Sequence, residues 1–230
     1  MKAERVVLWD FDGTLAFRPG LWGGCALEVL DAHDPGHGIE LERLRSTFRG
    51  GFPWHQWQEP HPHLGEAEAW WAQVGVRVAR GFEDAGVEQG VGERLAVAFR
   101  ERYTDAAVGW QRFEDALPAL EAVTDAGWRS AVLSNHVPEL EALIAGLGLG
   151  EHLDAVFNSA RIGYEKPHPE AFRIALGAFG APREAWMVGD NEEADVEGAH
   201  EAGIRAILVR GDGAGDLLDA ASMIIGSKTP

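Results

Sequence analysis

The run Val6-Val7-Leu8-Trp9 ends abruptly in Asp10-Phe11-Asp12-Gly13-Thr14, and this junction constrains the fold more than any other stretch of the chain. Four apolar residues without polar alternation suit a strand buried on both faces. Strands of that kind belong to parallel sheets, whose crossover helices cover both sides. In an extended chain residues i and i+2 point the same way, so Asp10 and Asp12 converge on one spot. That spot lies beyond the carboxyl end of a strand, where open α/β sheets hold their ligands. Gly13 then permits a tight turn and a close backbone approach to an anion.

Similar short apolar runs recur at 130–133, 155–157, 186–188 and 206–209, with a last candidate strand at 223–225. Helical patterns separate them. Leu140, Leu143, Ile144 and Leu147 are spaced i, i+3, i+4, i+7, between Pro138 and Gly148. Phe172, Ala175, Leu176 and Phe179 repeat that spacing between Pro169 and Gly180, and Leu117, Leu120 and Val123 precede Gly127. Strands alternating with helices predict right-handed βαβ units. The expected fold class is α/β: a Rossmann-like parallel sheet core with helices on both faces. Residues 17–108 break this pattern. They hold no β-rich run, and helices are expected near 25–31, 39–48, 66–82 and 94–103. The expected organisation is therefore a discontinuous core, 1–16 and 109–230, interrupted by an all-α cap domain, 17–108.

A formal charge of −17 argues against nucleic acid or an anionic membrane as partner. No run of about 18 apolar residues is present, so no transmembrane helix is expected. The apolar run after Met1–Arg5 is too short for a signal peptide, which points to the cytoplasm. Cys25 is the single cysteine and reads as a small buried hydrophobe. The three lysines are Lys2, Lys166 and Lys228, so Lys166 alone is non-terminal, and Pro167 biases it toward an extended conformation.

Asp10-Phe11-Asp12-Gly13-Thr14-Leu15 resembles the first motif of the haloacid dehalogenase-like superfamily. Ser134-Asn135, after the run ending at Leu133, resembles the second. Gly163-Tyr164-Glu165-Lys166-Pro167-His168-Pro169-Glu170-Ala171-Phe172 resembles the third, and the stretch from Gly189-Asp190-Asn191 through Asp195 to Ala199 resembles the fourth. All four stand in the family's order. The resemblance implies that Asp10 attacks phosphorus to give an aspartyl-phosphate and that Asp12 is the acid/base. It implies that Ser134, Gly13 and backbone N–H near Asn135 bind the phosphoryl oxygens, while Lys166 offsets charge. It implies Mg²⁺ at Asp10, the Asp12 backbone carbonyl and Asp190, with Asp195 behind them on Lys166 or a metal-bound water, or favouring the N-terminus of the next helix. Two adjacent carboxylates are in any case unfavourable unless they share a proton or a cation.

The implied activity is hydrolysis of a small phosphomonoester metabolite. A sugar-phosphate mutase and a catalytically inactive phosphate-binding module stand as alternatives. Asp12 disfavours the dehalogenase branch, which lacks it. The absence of lysine from 17–108 disfavours Schiff-base chemistry. Two positions depart from the family pattern: Ala194 stands where Asn is frequent, and His168 where Asp is. In the insert, Trp54, His55, Trp57, His61 and His63 either line a substrate pocket or simply pack the cap. His61 and His63 come with no further metal-ligand set. Arg18 and Arg49 are candidate anion contacts. Monomer and homodimer are both open.

Overall fold

The computed structural model describes residues 3–227, so Lys2 and Lys228 lie outside the described residues. The first half runs β1 (Arg5–Trp9), β2 (Ala16–Phe17), α1 (Leu21–His33), α2 (Leu41–Thr47), α3 (Ala67–Ala85), α4 (Gly92–Tyr103) and β3 (Gln111–Arg112). Then follow α5 (Ala116–Asp125), β4 (Arg129–Ser134), α6 (Leu140–Gly146), β5 (Ala155–Asn158), α7 (Ser159–Ile162) and α8 (Pro169–Ala178). The chain closes with β6 (Glu184–Gly189), α9 (Gly198–Glu201), β7 (Arg205–Leu208) and α10 (Leu217–Gly226).

Among the described residues, one sheet has the order β5-β4-β1-β6-β7, and every pairing in it is parallel. The fold is α/β and Rossmann-like. β1 is central, and its residues divide between two apolar clusters by alternation. Val6 and Leu8 pack with Phe172 and Ala175 of α8 and Met187 of β6. Val7 and Trp9 pack with Leu120 of α5 and with Leu217 and Ile224 of α10. Each such side chain contributes about 1.5–3 kcal/mol when fully buried, which explains the unbroken apolar run. The chain goes outward from β1 through β4 to β5, then crosses back to β6. The order therefore reverses between β1 and β6, where a crevice opens at the strands' carboxyl ends.

Helices α1 to α4 fill the interval between β2 and β3, joined by 3₁₀ turns at Pro53–Gln56 and Pro62–Leu64. Their buried Trp70, Phe82 and Phe99 belong to the same apolar cluster as Val7 and Trp9. At the root of this segment β2 and β3 pair antiparallel, Ala16 with Arg112 and Phe17 with Gln111.

One expected strand is a helix. Residues 223–225 lie inside α10, where Leu217, Ala220, Ala221 and Ile224 are buried at helical spacing. The Asp216 side chain accepts the Asp219 N–H at 2.9 Å and starts that helix. The longer 3.6 period overrides the three-residue apolar run Met223-Ile224-Ile225. Cys25 is buried beneath α4 as expected; burial pushes its thiol up to about 12, so it stays protonated. Among the described residues no helix is long and apolar enough to cross a membrane.

Candidate active site

Asp10 extends β1 by one ladder bond, its N–H donating to Val188 of β6 at 2.8 Å. Asp190 follows β6 on the neighbouring strand, so the reversal point sets the two carboxylates side by side. Gly13 has φ +82°, and a Cβ there would run into the Asp190 carboxylate. A side chain at position 13 would thus fail on both backbone conformation and space. Thr14 donates its hydroxyl to Asp190 Oδ1 at 3.4 Å.

Lys166 is buried, with Nζ 2.9 Å from Asp10 Oδ1 and 2.5 Å from Asp195 Oδ1. Burial works against its charge, but Asp10 and Asp195 outweigh that and hold its pKa above the ordinary lysine value. Asn135 fixes the lysine's backbone reciprocally, donating to the Lys166 carbonyl at 2.8 Å and accepting its N–H at 2.6 Å. Asp195 sits on a π-helical turn, Glu192–Glu197, and its Oδ2 accepts the Asn191 N–H at 3.0 Å. Gly189 lacks a Cβ that would overlap the Asp195 carboxylate. Burial drives the Asp195 carboxyl upward while Lys166 pulls it down.

The remaining acids are crowded. Burial, then Asp10 and Asp190, raises Asp12 well above the usual carboxylate range. Burial and Asp10 push Asp190 up to about 6. Carboxylate oxygens of Asp10, Asp190 and Asp195 lie within 4.8 Å of one another. Asp195 already has both oxygens engaged, so Asp10 and Asp190 are the pair placed to meet a cation. An all-oxygen, acid-rich cluster of this kind fits a hard divalent ion such as Mg²⁺.

Asp10, Asp12, Gly13, Asn135, Lys166, Asp190 and Asp195 line one cavity of about 360 Å³. Ser134 does not line it; its Oγ is buried at the end of β4 with no hydrogen-bond partner among the described residues. Two anion candidates fall away. Arg18 is buried and gives both terminal nitrogens to Glu28, at 3.0 and 2.8 Å. Arg49 pairs with Glu42 on the surface at 2.8 Å. His61 is 3.0 Å from Glu165 Oε1, and His63 is exposed. The departure at His168 has a physical reason: its Nδ1 accepts the Glu170 N–H and caps α8.

Trp54 and Trp57 both line the cavity, and Trp54 also stacks on Phe52, with centroids 4.9 Å apart and planes 2° apart. The sequence reading missed Trp22, Tyr103, His136 and Glu193 as lining residues. His136 directly follows Ser134-Asn135, which was the available signal. Burial drives its imidazole down to about 4, although the Val137 backbone and Asp10 favour the charged form. It is therefore neutral when folded. The unfolded imidazole titrates near 6.5, so protons favour the unfolded chain below that pH. Stability from this residue is complete above about pH 6.5 and falls as pH drops toward 4, by about 3 kcal/mol in total. His136→Phe is expected to remove that share of the acid slope. Urea denaturation of both proteins at pH 7.5 and 4.5 checks it; an unchanged difference between the two pH values refutes it.

A family model for haloacid dehalogenase-like hydrolases matches residues 4–203. The chain belongs to this family. Among haloacid dehalogenase-like hydrolases it is 40% identical over 152 residues to a phosphoserine phosphatase of Thermus thermophilus. That match spans 64% of this chain and 59% of the relative, less than two thirds of its length. It is 31% identical over 215 residues to the human haloacid dehalogenase-like hydrolase domain-containing protein 3, covering 90% of this chain and 82% of the relative. The crystal structure of a phosphatase of the family from Thermococcus onnurineus superposes over 100% of both chains, with TM-score 0.63 and 22% identity. That last likeness is one of fold.

Proposed function

We propose that this hydrolase releases phosphate from a small phosphomonoester metabolite through an aspartyl-phosphate on Asp10. The observation that carries the reading is the placement of the Asp10 carboxylate. It is held by Lys166 at 2.9 Å and stands at the strand reversal two residues from Asp12, whose carboxyl is raised. Asp10 attacks phosphorus. Asp12, whose burial favours the protonated form, gives its proton to the departing alcohol oxygen. The resulting Asp12 carboxylate then takes a proton from the water that cleaves the acyl phosphate. Lys166 neutralises charge on Asp10 and on the phosphoryl group. Ser134, next to the cavity-lining Asn135, is the family motif's donor for a phosphoryl oxygen, and its Oγ has no competing partner among the described residues. Asn135 acts by positioning Lys166. Mg²⁺, held by Asp10, the Asp12 carbonyl and Asp190, would supply the positive charge that phosphoryl transfer requires. Residues 17–108 serve as the cap that shields this chemistry from water. The phosphatase name carried by the Thermus relative supports phosphomonoester chemistry.

The test is hydrolysis of p-nitrophenyl phosphate with Mg²⁺, followed by EDTA. Chelation is expected to lower the rate on the order of 10²-fold or more, restored by excess Mg²⁺. A rate indifferent to EDTA sinks the metal assignment. Phosphate label that moves within a sugar phosphate, and never reaches solution, sinks hydrolysis in favour of a mutase.

A further inference from the structure

We propose that the substrate's alcohol portion is a compact, uncharged ring system, and that the site discriminates against phosphomonoesters bearing a second anionic group. This rests on the phosphomonoester reading above. Besides Asp10 and Lys166, the cavity is lined by Trp22, Trp54, Trp57 and Tyr103 from the helical insert and by Val137 from the core. Three of these rings, Trp22, Trp54 and Tyr103, are braced by one another and by Phe52. Trp22 lies 5.3 Å from Trp54 and 5.0 Å from Tyr103, and Trp54 is stacked on Phe52. Fixed aromatic faces take up flat apolar groups with little ordering cost.

The charges say the same. Among the lining residues Lys166 is the only lysine or arginine, and Asp10 and Asp195 already share it. His136 is neutral at physiological pH. Arg18, beneath the Tyr103 ring, is committed to Glu28. Glu193 adds an acid to the lining that Lys166 does not pair and that stands apart from the residues assigned to Mg²⁺. A carboxylate or a second phosphate on the leaving group would be desolvated near this acid, with no lysine or arginine of the lining left to meet it. The cavity, at about 360 Å³, is near the small end of ligand sites, which run from roughly 300 to 1,000 Å³. That suits a phosphate plus one ring.

The experiment compares kcat/KM of the Mg²⁺-loaded enzyme for benzyl phosphate, ethyl phosphate and para-carboxybenzyl phosphate, esters of alcohols of similar acidity. Acetyl phosphate reports the core chemistry separately. Benzyl phosphate is expected to exceed both other esters by about tenfold or more, the step that about 1.4 kcal/mol of discrimination gives. Trp57→Arg is expected to raise the para-carboxybenzyl to benzyl ratio about tenfold, a ratio that is independent of how much variant is folded. Para-carboxybenzyl or ethyl phosphate matching benzyl phosphate, with acetyl phosphate still hydrolysed, overturns this inference alone. Failure to hydrolyse any of the four overturns the phosphomonoester reading and this inference with it.

Discussion

Asp10→Asn is expected to lower phosphate release on the order of 10⁴-fold or more while the protein stays folded. The amide is nearly the same shape as the carboxylate but is no nucleophile, so no acyl phosphate forms. The backbone bond from residue 10 to Val188 is untouched by the change. Lys166 keeps Asp195 as a partner at 2.5 Å. Removing one negative charge also relieves Asp12 and Asp190, both of which Asp10 pushes upward. The melting temperature should therefore hold or rise. Initial rates together with thermal unfolding check this. A variant within tenfold of the wild-type rate shows that Asp10 is not the nucleophile.

Lys166→Met should damage both activity and stability. Methionine matches the stem in length and leaves Asp10 and Asp195 facing each other without the cation between them. Removing one partner from a buried pair costs about 3–5 kcal/mol. Losing the charge beside the phosphoryl group is expected to cost on the order of 10³-fold in rate. The stability loss carries a pH signature. Without Lys166 the Asp195 carboxyl, already driven up by burial, rises further. An acid whose folded pKa is raised destabilises the fold above that pKa, and the loss is recovered as pH falls through it. The stability gap between wild type and variant should thus narrow from pH 8 to pH 5, as read by urea denaturation. A gap that is constant with pH would mean that lost packing, and not an uncompensated carboxylate, explains the variant.

The parts of this molecule that were legible in the sequence are those that local pattern sets. Val6 to Trp9 announces a strand buried on both faces, and two acids two residues apart announce where it points. What stayed hidden depends on distant partners. Asn135 reads as an anion contact until it is seen clasping the backbone of Lys166, 31 residues on. Arg18 reads as an anion contact until Glu28 takes it. Residues 223–225 look β-like because three residues are too few to show the helical period of α10. β2 and β3 have two residues each, too short to carry any alternation. Trp54 could be placed in the insert, but only its contact with Trp22 of α1, together with its place in the cavity lining, shows that it serves both the packing of the insert and the cavity.

The pairing of β2 with β3 has a consequence for how such a chain diverges. Phe17 and Gln111 are paired across that ladder, so the intervening helices leave and return through a single narrow neck. A stretch attached in this way can lengthen, shorten or be exchanged without altering the register of the five parallel strands. The aromatic lining rides on that stretch, whereas Asp10, Asp12, Asp190, Asp195 and Lys166 lie on the strand ends and loops of the parallel-sheet part. Descendants of one ancestor could therefore change diet while keeping the same cutting chemistry.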